Sequence, residues 1–203
     1  MLVYEKNYLP YTREELIEKI RSSMSEKRFL HVLGVEKAAV ELAMRYGGEV
    51  EKSSISALVH DYAKERCDEE MIAFIRANGL DEGMIPFGNN IWHGVAGSEL
   101  IAQELQINDE EILQAVKVHT TGSGEMSLLD KILYVADYIE ENRKFPGVEK
   151  ARRIACKNLD KAVKYETKQT LTYLLEKKAP IYPKTIETYN TYVAKIKVCE
   201  TCA

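Results

Sequence analysis

The chain has 203 residues, 45% of them hydrophobic, and its 28 Lys and Arg against 32 Asp and Glu give a formal net charge of -4. A chain of this length can bury roughly 70% of its unfolded surface, which predicts a single domain over 1–203 with one sizeable core. The charge balance lacks the basic excess that nucleic-acid binding needs, so we expect no nucleic-acid partner. A small anionic substrate held by a metal remains compatible with it.

The sequence shows no pattern typical of secretion or membrane insertion. The N-terminus has neither a basic start nor a long apolar run, and no segment approaches the length of a membrane span. We therefore expect a cytoplasmic protein without a membrane partner. The cysteines are scattered, which favours reduced thiols over a disulfide scaffold: Cys67, Cys156, Cys199 and Cys202. The Cys199/Cys202 pair is interpreted as part of a frayed tail over 198–203, with a redox or metal role as the alternative.

Hydrophobic residues recur with helical periodicity along the chain, and proline, glycine and capping residues interrupt them at regular intervals. Thr12 with Glu15 forms a capping-box pattern for a first helix, and Asn90, Asn108 and Ser127 are predicted caps of later ones. The longest predicted helices cover about 26–46, 51–64, 90–105, 127–141 and 156–178. The fold is therefore predicted to be an all-α, single-domain bundle of about eight to nine helices.

The four histidines all fall at the start or end of predicted helices: His31, His60, His93 and His119. His60 is followed directly by Asp61, after an apolar run over 55–59. Neighbouring helical positions diverge by about 100°, so this pair can bind one metal while Asp61 also bridges to a second. Most such dipeptides are instead a surface histidine beside a solvated carboxylate. The apolar context favours a metal site, because coordination satisfies polar groups that are costly to bury unpaired.

A further candidate ligand, Asp137, stands among apolar residues of the segment 133–139. The candidate ligands are separated by intervals of 18 to 33 residues, apart from the adjacent pair, and this spacing excludes a zinc finger. It matches a centre assembled from several helices of a bundle, each of which contributes one or two inward-facing ligands.

These residues and their neighbours resemble a known family. The motifs that carry the resemblance are Arg28-Phe-Leu-His31, His60-Asp-Tyr-Ala-Lys64, His93-Gly94, His119-Thr-Thr-Gly122 and the segment 136–147. Together they resemble the HD superfamily of metal-dependent phosphohydrolases, and more narrowly its YqeK branch. The likeness covers about 20–190, so it implies an HD-type helical core there and leaves 1–19 as an N-terminal extension.

The resemblance implies a symmetrical dinucleoside tetraphosphate hydrolase, which splits diadenosine tetraphosphate into two ADP. It implies iron as the preferred metal, as one or two ions, with manganese, cobalt or another divalent metal as substitutes, and a homodimer is plausible by the same likeness. Carried over to this chain, the first metal is held by His31, His60, Asp61 and Asp137. His93 and His119, with Asp61 bridging, either hold a second metal or contact phosphate.

Polyphosphate hydrolysis requires a nucleophile near neutral pH and neutralisation of the phosphoryl charge. The expected nucleophile is a metal-bound hydroxide that Asp61 orients, which makes Asp61 the expected catalytic residue together with Lys64. Lys64 falls on the helical face of His60 and Asp61, within reach of a phosphate.

Four further residues are candidate phosphate contacts. Arg28 precedes His31 by three positions, and its planar guanidinium suits a bidentate contact. For Arg28, as for Lys64, a solvated surface cation is the alternative reading. Arg143 could equally complement the dipole of a helix end, and Thr120 lies in a Gly-rich turn that chain reversal alone explains. Lys131 could face the same cavity.

Two alternatives to this function stay open at the level of the sequence. One is an HD-type nucleotidase or phosphohydrolase of another specificity. The other is a non-catalytic sensor that only binds nucleotide, although such a protein usually lacks one or more of the ligands that this chain retains.

Overall fold

Ten α-helices are present in residues 2–5 and 8–195, which are the part of the chain that this computed structural model describes. They are α1 (Arg13–Ser22), α2 (Glu26–Tyr46), α3 (Val50–Val59), α4 (Asp68–Ala77), α5 (Asn89–Leu105), α6 (Glu110–Val118), α7 (Leu128–Ile139), α8 (Val148–Ala155), α9 (Leu159–Glu176) and α10 (Pro183–Thr188). A 3₁₀ turn, Glu82–Phe87, joins α4 to α5, and a π-helical turn, Tyr189–Ala194, follows α10. These residues contain no strand, so the predicted all-α fold is confirmed. The ten α-helices of these residues exceed the expected count of about eight to nine by one.

Capping residues set several of the helix starts. The Thr12 hydroxyl accepts the backbone N–H of Glu15, whose carboxylate in turn accepts the N–H of Thr12, so the predicted capping box is confirmed. Ser127 begins α7 in the same way, with Asp130 as its partner. Asp109, rather than the predicted Asn108, caps α6. A carboxylate at this position caps as well as an amide does and also gains from the helix dipole.

The helices enclose an apolar core in two parts. In the larger part, α2 packs along α3 and α7, and α6 packs against α3, α5 and α7. Its fully buried members include Val32, Val35, Ile55, Leu58, Val116, Ile132 and Leu133. The smaller part joins α4, the 3₁₀ turn and α5 through Met71, Ile75, Met84, Trp92, Ala96 and Leu100. The predicted metal ligands all lie where α2, α3, α5, α6 and α7 meet.

The segment before α1 is attached to the bundle by polar contacts. Tyr4 Oη lies 2.8 Å from Ser54 Oγ, and Ser54 donates to buried Glu36 over 2.5 Å. Arg13 binds the same carboxylate with two N–H groups, at 2.7 and 2.6 Å. The described part of the N-terminal extension therefore packs on α2 and α3.

No helix within residues 2–5 and 8–195 is both long enough and apolar enough to cross a lipid bilayer. The Cys199/Cys202 tail lies outside the described residues, and the proposed boundaries at 20, 190 and 198 stay predictions.

Candidate metal centre

Six side chains from five helices converge in the interior of the bundle. His31 comes from α2, His93 from α5 and Asp137 from α7. His60 and His119 stand at the C-terminal caps of α3 and α6, and Asp61 follows His60 directly. His60, Asp61, His93 and His119 are each at most 3% exposed, whereas the side chains of His31 and Asp137 are 12% and 21% exposed.

A glycine brings two of these helices close together. A Cβ atom on Gly94 would lie 3.2 Å from the carbonyl oxygen of Lys117 and 3.5 Å from Cε1 of His119. A side chain at this position would make a tight contact with the backbone at the end of α6, so glycine favours this close approach of α5. This close approach places Nε2 of His93 3.0 Å from Nε2 of His119.

The donor atoms of the cluster lie within a few ångströms of one another. Nε2 of His31 is 3.1 Å from Oδ1 of Asp137 and 3.6 Å from Oδ2 of Asp61. Nε2 of His60 is 3.4 Å from Oδ2 of Asp61, and Nε2 of His93 is 3.2 Å from its Oδ1. In three groups, one donor atom per residue lies within 4.8 Å of the others: His31, His60 and Asp61; His60, His119 and Asp137; Asp61, His93 and His119. Asp61 therefore belongs to two of the three groups, one with His31 and His60 and the other with His93 and His119.

Hydrogen bonds fix the tautomer of each histidine. Nδ1 of His60, His93 and His119 faces the backbone oxygens of Ala57, Asn89 and Val116, at 2.7, 2.7 and 2.6 Å. Nδ1 of His31 faces Oε1 of Glu140 at 3.1 Å. Because these oxygens only accept, each Nδ1 must donate. Each neutral ring therefore presents an unprotonated Nε2 to the centre.

Unprotonated Nε2 atoms at these distances are what a divalent cation requires. Nε2 of His31 and of His60 are buried and have no hydrogen-bond partner among the described residues. Since Nδ1 donates in both His93 and His119, their facing Nε2 atoms are both acceptors, and the two lone pairs point toward each other. Imidazole nitrogens with carboxylate oxygens suit iron, manganese, cobalt and zinc. The residues present therefore fit a divalent metal.

The protonation states favour ligation as well. Burial raises the pKa of Asp61 and Asp137, but neighbouring histidines, and Arg143 beside Asp137, outweigh it and hold both pKa values well below the usual range. The pKa of His119 is lowered to about 3, first by burial and then by the charges of His93 and His60. Burial also lowers the pKa of His93. Burial lowers the pKa of His60 too, but Asp61 outweighs it and the net shift is upward, so a bound metal competes with a proton there.

Cations surround the cluster. Arg28 donates to Oδ2 of Asp61 over 2.6 Å, and Arg143 donates to Oδ1 of Asp137 and, over 3.0 Å, to its backbone oxygen. Lys64 donates to Oδ1 of Asn90 over 2.8 Å and lies 3.4 Å from Nδ1 of His93, and burial lowers its pKa. The structure thus brings three predicted phosphate contacts to the centre.

A cavity of about 710 Å³ opens at one end of the centre. It is lined by Lys27, Arg28, Leu30, His31, Glu65, Glu140, Asn142 and Arg143. The lining therefore combines three cationic side chains with the carboxylates of Glu65 and Glu140.

Thr120 and Lys131, the two remaining predicted contacts, are placed differently. Oγ1 of Thr120 lies 3.1 Å from Nε2 of His119 and 3.4 Å from Nε2 of His93, inside the centre. Lys131 instead pairs with Asp160 at 2.9 Å and lies over the ring of Tyr192. Six positions along a helix place Lys131 about 120° around the axis from Asp137, so its side chain points elsewhere. The expectation that Lys131 faces the cavity is therefore wrong.

Two residues at the centre were missed by sequence reasoning. Glu140 contacts His31. The prediction that Asn90 caps α5 is wrong, because Gly88 stands at the N-cap position and Asn90 lies in the first turn of the helix, where its side chain accepts from Lys64. Glu140 lies inside the motif segment 136–147, but a glutamate in an acidic pair at a helix end has no pattern that distinguishes it from a solvated one. Only the tertiary contact with α2 reveals its place.

The HD domain family model matches residues 28–142, which span all six side chains of the candidate centre. The chain belongs to the HD domain family. Among curated HD relatives, the protein named "Bis(5'-nucleosyl)-tetraphosphatase, symmetrical" from Bacillus subtilis is 40% identical over 90% of this chain and 98% of its own length. Proteins of the same name from Halalkalibacterium halodurans and Staphylococcus aureus are 40% and 35% identical, over 91% and 85% of this chain and 99% and 90% of their own lengths.

A solved HD structure has the same fold. It is the crystal structure of a predicted HD superfamily hydrolase involved in NAD metabolism from Clostridium acetobutylicum, with a TM-score of 0.86 and 36% sequence identity. The match covers 92% of this chain and 99% of that one. The HD-type fold and the resemblance found in the sequence are thereby confirmed.

Proposed function

We propose that this HD protein is a metal-dependent hydrolase that cleaves dinucleoside tetraphosphates symmetrically, so that diadenosine tetraphosphate and water give two ADP. The observation that carries the proposal is the convergence of four histidine Nε2 atoms and two carboxylates beside a cavity lined by Arg28 and Arg143. It is supported by the names of two relatives, of whose lengths this chain covers 98% and 99%.

The proposed first metal site consists of His31, His60, Asp61 and Asp137. His93 and His119 complete a second site with Asp61, or contact phosphate if one metal is bound. A divalent metal bound there supplies a Lewis acid that lowers the pKa of a water molecule and neutralises phosphoryl charge. Asp61, which is shared by the two proposed sites, orients the attacking water.

The cations take up the phosphate chain. Arg28 and Arg143 each present a guanidinium group at the cavity wall, and the N–H groups that they do not use on Asp61 and Asp137 can bind phosphate oxygens. Lys64 and Thr120 offer further donors deeper in the centre. Attack on one of the two central phosphorus atoms breaks its bond to the bridging oxygen, which leaves with the other ADP.

A product assay in ¹⁸O-labelled water tests this function. The iron-loaded protein is purified anaerobically and incubated with diadenosine tetraphosphate. We expect ADP as the single nucleotide product, with one ¹⁸O atom in half of the ADP molecules. AMP with ATP would contradict symmetrical cleavage and favour an HD phosphohydrolase of another specificity. Tight ADP binding without turnover would favour the sensor.

We also propose iron as the resident metal, a cytoplasmic location and a homodimer. The donor set suits iron but equally manganese, cobalt and zinc, and Cys67 and Cys156 are exposed free thiols, as a reducing compartment favours. Elemental analysis after anaerobic purification tests the metal. Light scattering tests the dimer, and cell fractionation tests the location.

A further inference from the structure

The contact between His31 and Glu140 joins two segments that lie 109 positions apart in the chain. We propose that Glu140 is a positioning residue, which holds His31 in the orientation and tautomer that the metal centre needs. The inference rests on the proposed metal site and adds to it a residue that is not itself a ligand.

The Glu140 carboxylate is held at both oxygens. The residue is 2% exposed and follows the last residue of α7. Oε1 lies 3.1 Å from Nδ1 of His31, and Oε2 accepts the backbone N–H of Asn142 over 2.6 Å. With Nδ1 donating to Glu140, the opposite nitrogen of the ring faces Asp61 and Asp137.

His31 differs in this respect from the other three histidines. His60, His93 and His119 each donate Nδ1–H to a backbone oxygen three or four residues earlier in the chain. Their orientation therefore follows from the helix that carries them. The orientation of His31 depends on a charged side chain from elsewhere in the fold, and such carboxylate–histidine pairs orient metal ligands in many proteins.

The helix that carries His31 leaves space for this carboxylate. Gly34 stands one turn after His31 and is buried. A Cβ atom at Gly34 would lie 2.5 Å from Oε2 of Glu140 and 3.2 Å from Nδ2 of Asn142. Any side chain at this position would therefore displace the carboxylate from its place beside His31.

Arg152 holds the backbone of the same turn. Its Nη2 donates to the backbone oxygens of Glu140, over 2.5 Å, and of Arg143, over 3.1 Å, and its Nε donates to that of Ile139 over 2.8 Å. Carbonyl groups at a helix end have no partner within the helix, so these bonds satisfy them and fix the path of the chain. Glu140 is thus held in place through its backbone as well as its side chain.

Cobalt affinity measures the proposed role without any substrate. Co²⁺ is titrated into the metal-free protein in competition with a chelator, and its visible absorption reports the ligands around it. We expect Glu140→Ala to weaken Co²⁺ binding by about 10–100-fold, the usual cost of losing a partner of a ligating histidine. Glu140→Gln retains an acceptor oxygen but not the charge, so we expect a smaller loss. Glu141→Gln is the control, because that neighbouring carboxylate is 59% exposed and pairs with Lys37.

Gly34→Ala tests the same contact from the other helix. We expect it to weaken Co²⁺ binding in the otherwise unchanged protein and to have no further effect in the Glu140→Ala background, since the displaced group is then already absent. Such non-additivity is the signature of two residues that act through one contact. Equal effects in both backgrounds would mean that Gly34 acts independently of Glu140 and would count against the proposal.

The outcomes separate this inference from the function on which it rests. If the unaltered protein does not bind Co²⁺, the proposed metal centre itself is wrong. A different result would reject the role of Glu140 and leave the metal centre in place. In that case, the unaltered protein binds Co²⁺, and the Glu140→Ala and Glu140→Gln proteins bind it with an affinity within twofold and with the same absorption spectrum. Circular dichroism shows whether both variants are folded.

Discussion

His93 and His119 face each other at the closed end of the candidate metal centre, whereas His31 lines the cavity at the open end, where its Nε2 lies 3.1 Å from Oδ1 of Asp137. At the closed end, the rings are almost fully buried and their Nδ1 atoms bond to the backbone of their own helices. At the open end, Glu140 and Arg143 hold the ligands through charged contacts. Hydrogen bonds within each helix therefore orient the rings at the closed end. Tertiary contacts orient the side chains at the open end, where a substrate can bind some of the same charged groups.

Asp61 belongs to both ends, so its replacement should have the largest effect. Asp61→Asn keeps the shape of the side chain but removes the charge that faces His60, His93 and Arg28. We expect hydrolysis to fall by at least about 10²–10³-fold, the cost of removing one preorganised charged group from an active site. Asp160→Asn is the control, because the Asp160 side chain is 68% exposed. A near-normal kcat in the Asp61→Asn variant would contradict the proposed role of Asp61 at both ends of the centre.

Arg143→Ala should affect the open end alone. Arg143 donates to Asp137 and lines the cavity, so its loss removes one charge-assisted contact from the ligand and one from the substrate. A contact of this kind contributes about 1.5–3 kcal/mol, which predicts a decrease in kcat/KM of roughly 10–100-fold. The exposed Arg153 provides the matched control as Arg153→Ala. Unchanged kinetics in the Arg143 variant would remove this arginine from the substrate site.

Buried Glu166 on α9 predicts a dependence of stability on pH near the open end. Burial, followed by the charge of Asp137, raises its pKa well above the ordinary value of 4.5. The folded protein therefore binds this proton more tightly than the unfolded chain. The resulting stabilisation is complete below pH 4.5 and is lost as the pH rises through the pKa of the folded state.

Glu166→Gln should remove that dependence. We expect the difference in Tm between this variant and the unaltered protein to shift in favour of the variant from pH 5 to pH 8, by about 2–4 °C for each kcal/mol of stabilisation that the unaltered protein loses. Glu176→Gln, an exposed position on the same helix, should show no such trend. A difference in Tm that stays constant with pH would mean that Glu166 is ionised in the folded protein.

Lys131→Ala should have the smallest effect. Lys131 pairs with the exposed Asp160 and has no described contact with the centre. We expect kcat/KM within twofold of the unaltered protein and a stability change below about 1 kcal/mol, as is typical of surface ion pairs. A tenfold loss of activity would return Lys131 to the substrate site, contrary to its position in the structure.

The candidate ligands at both ends could be predicted from the sequence, whereas the contact of Glu140 with His31 could not. The helices, the capping boxes at Thr12 and Ser127 and the candidate ligands are all encoded locally, by periodicity, caps and residue type. The place of Glu140 and the misassigned Lys131 depend instead on which face of α7 meets α2 or α9. That choice is made by packing across the whole bundle, which one sequence without its fold does not reveal.

Anomalous diffraction from crystals of the iron-loaded protein tests the central claim most directly. The account predicts an anomalous peak at the iron edge about 2.0–2.2 Å from Nε2 of His31 and His60 and from a carboxylate oxygen of Asp61 and of Asp137. A peak bound through Nδ1 of these histidines, or one outside the six-residue cluster, would contradict it.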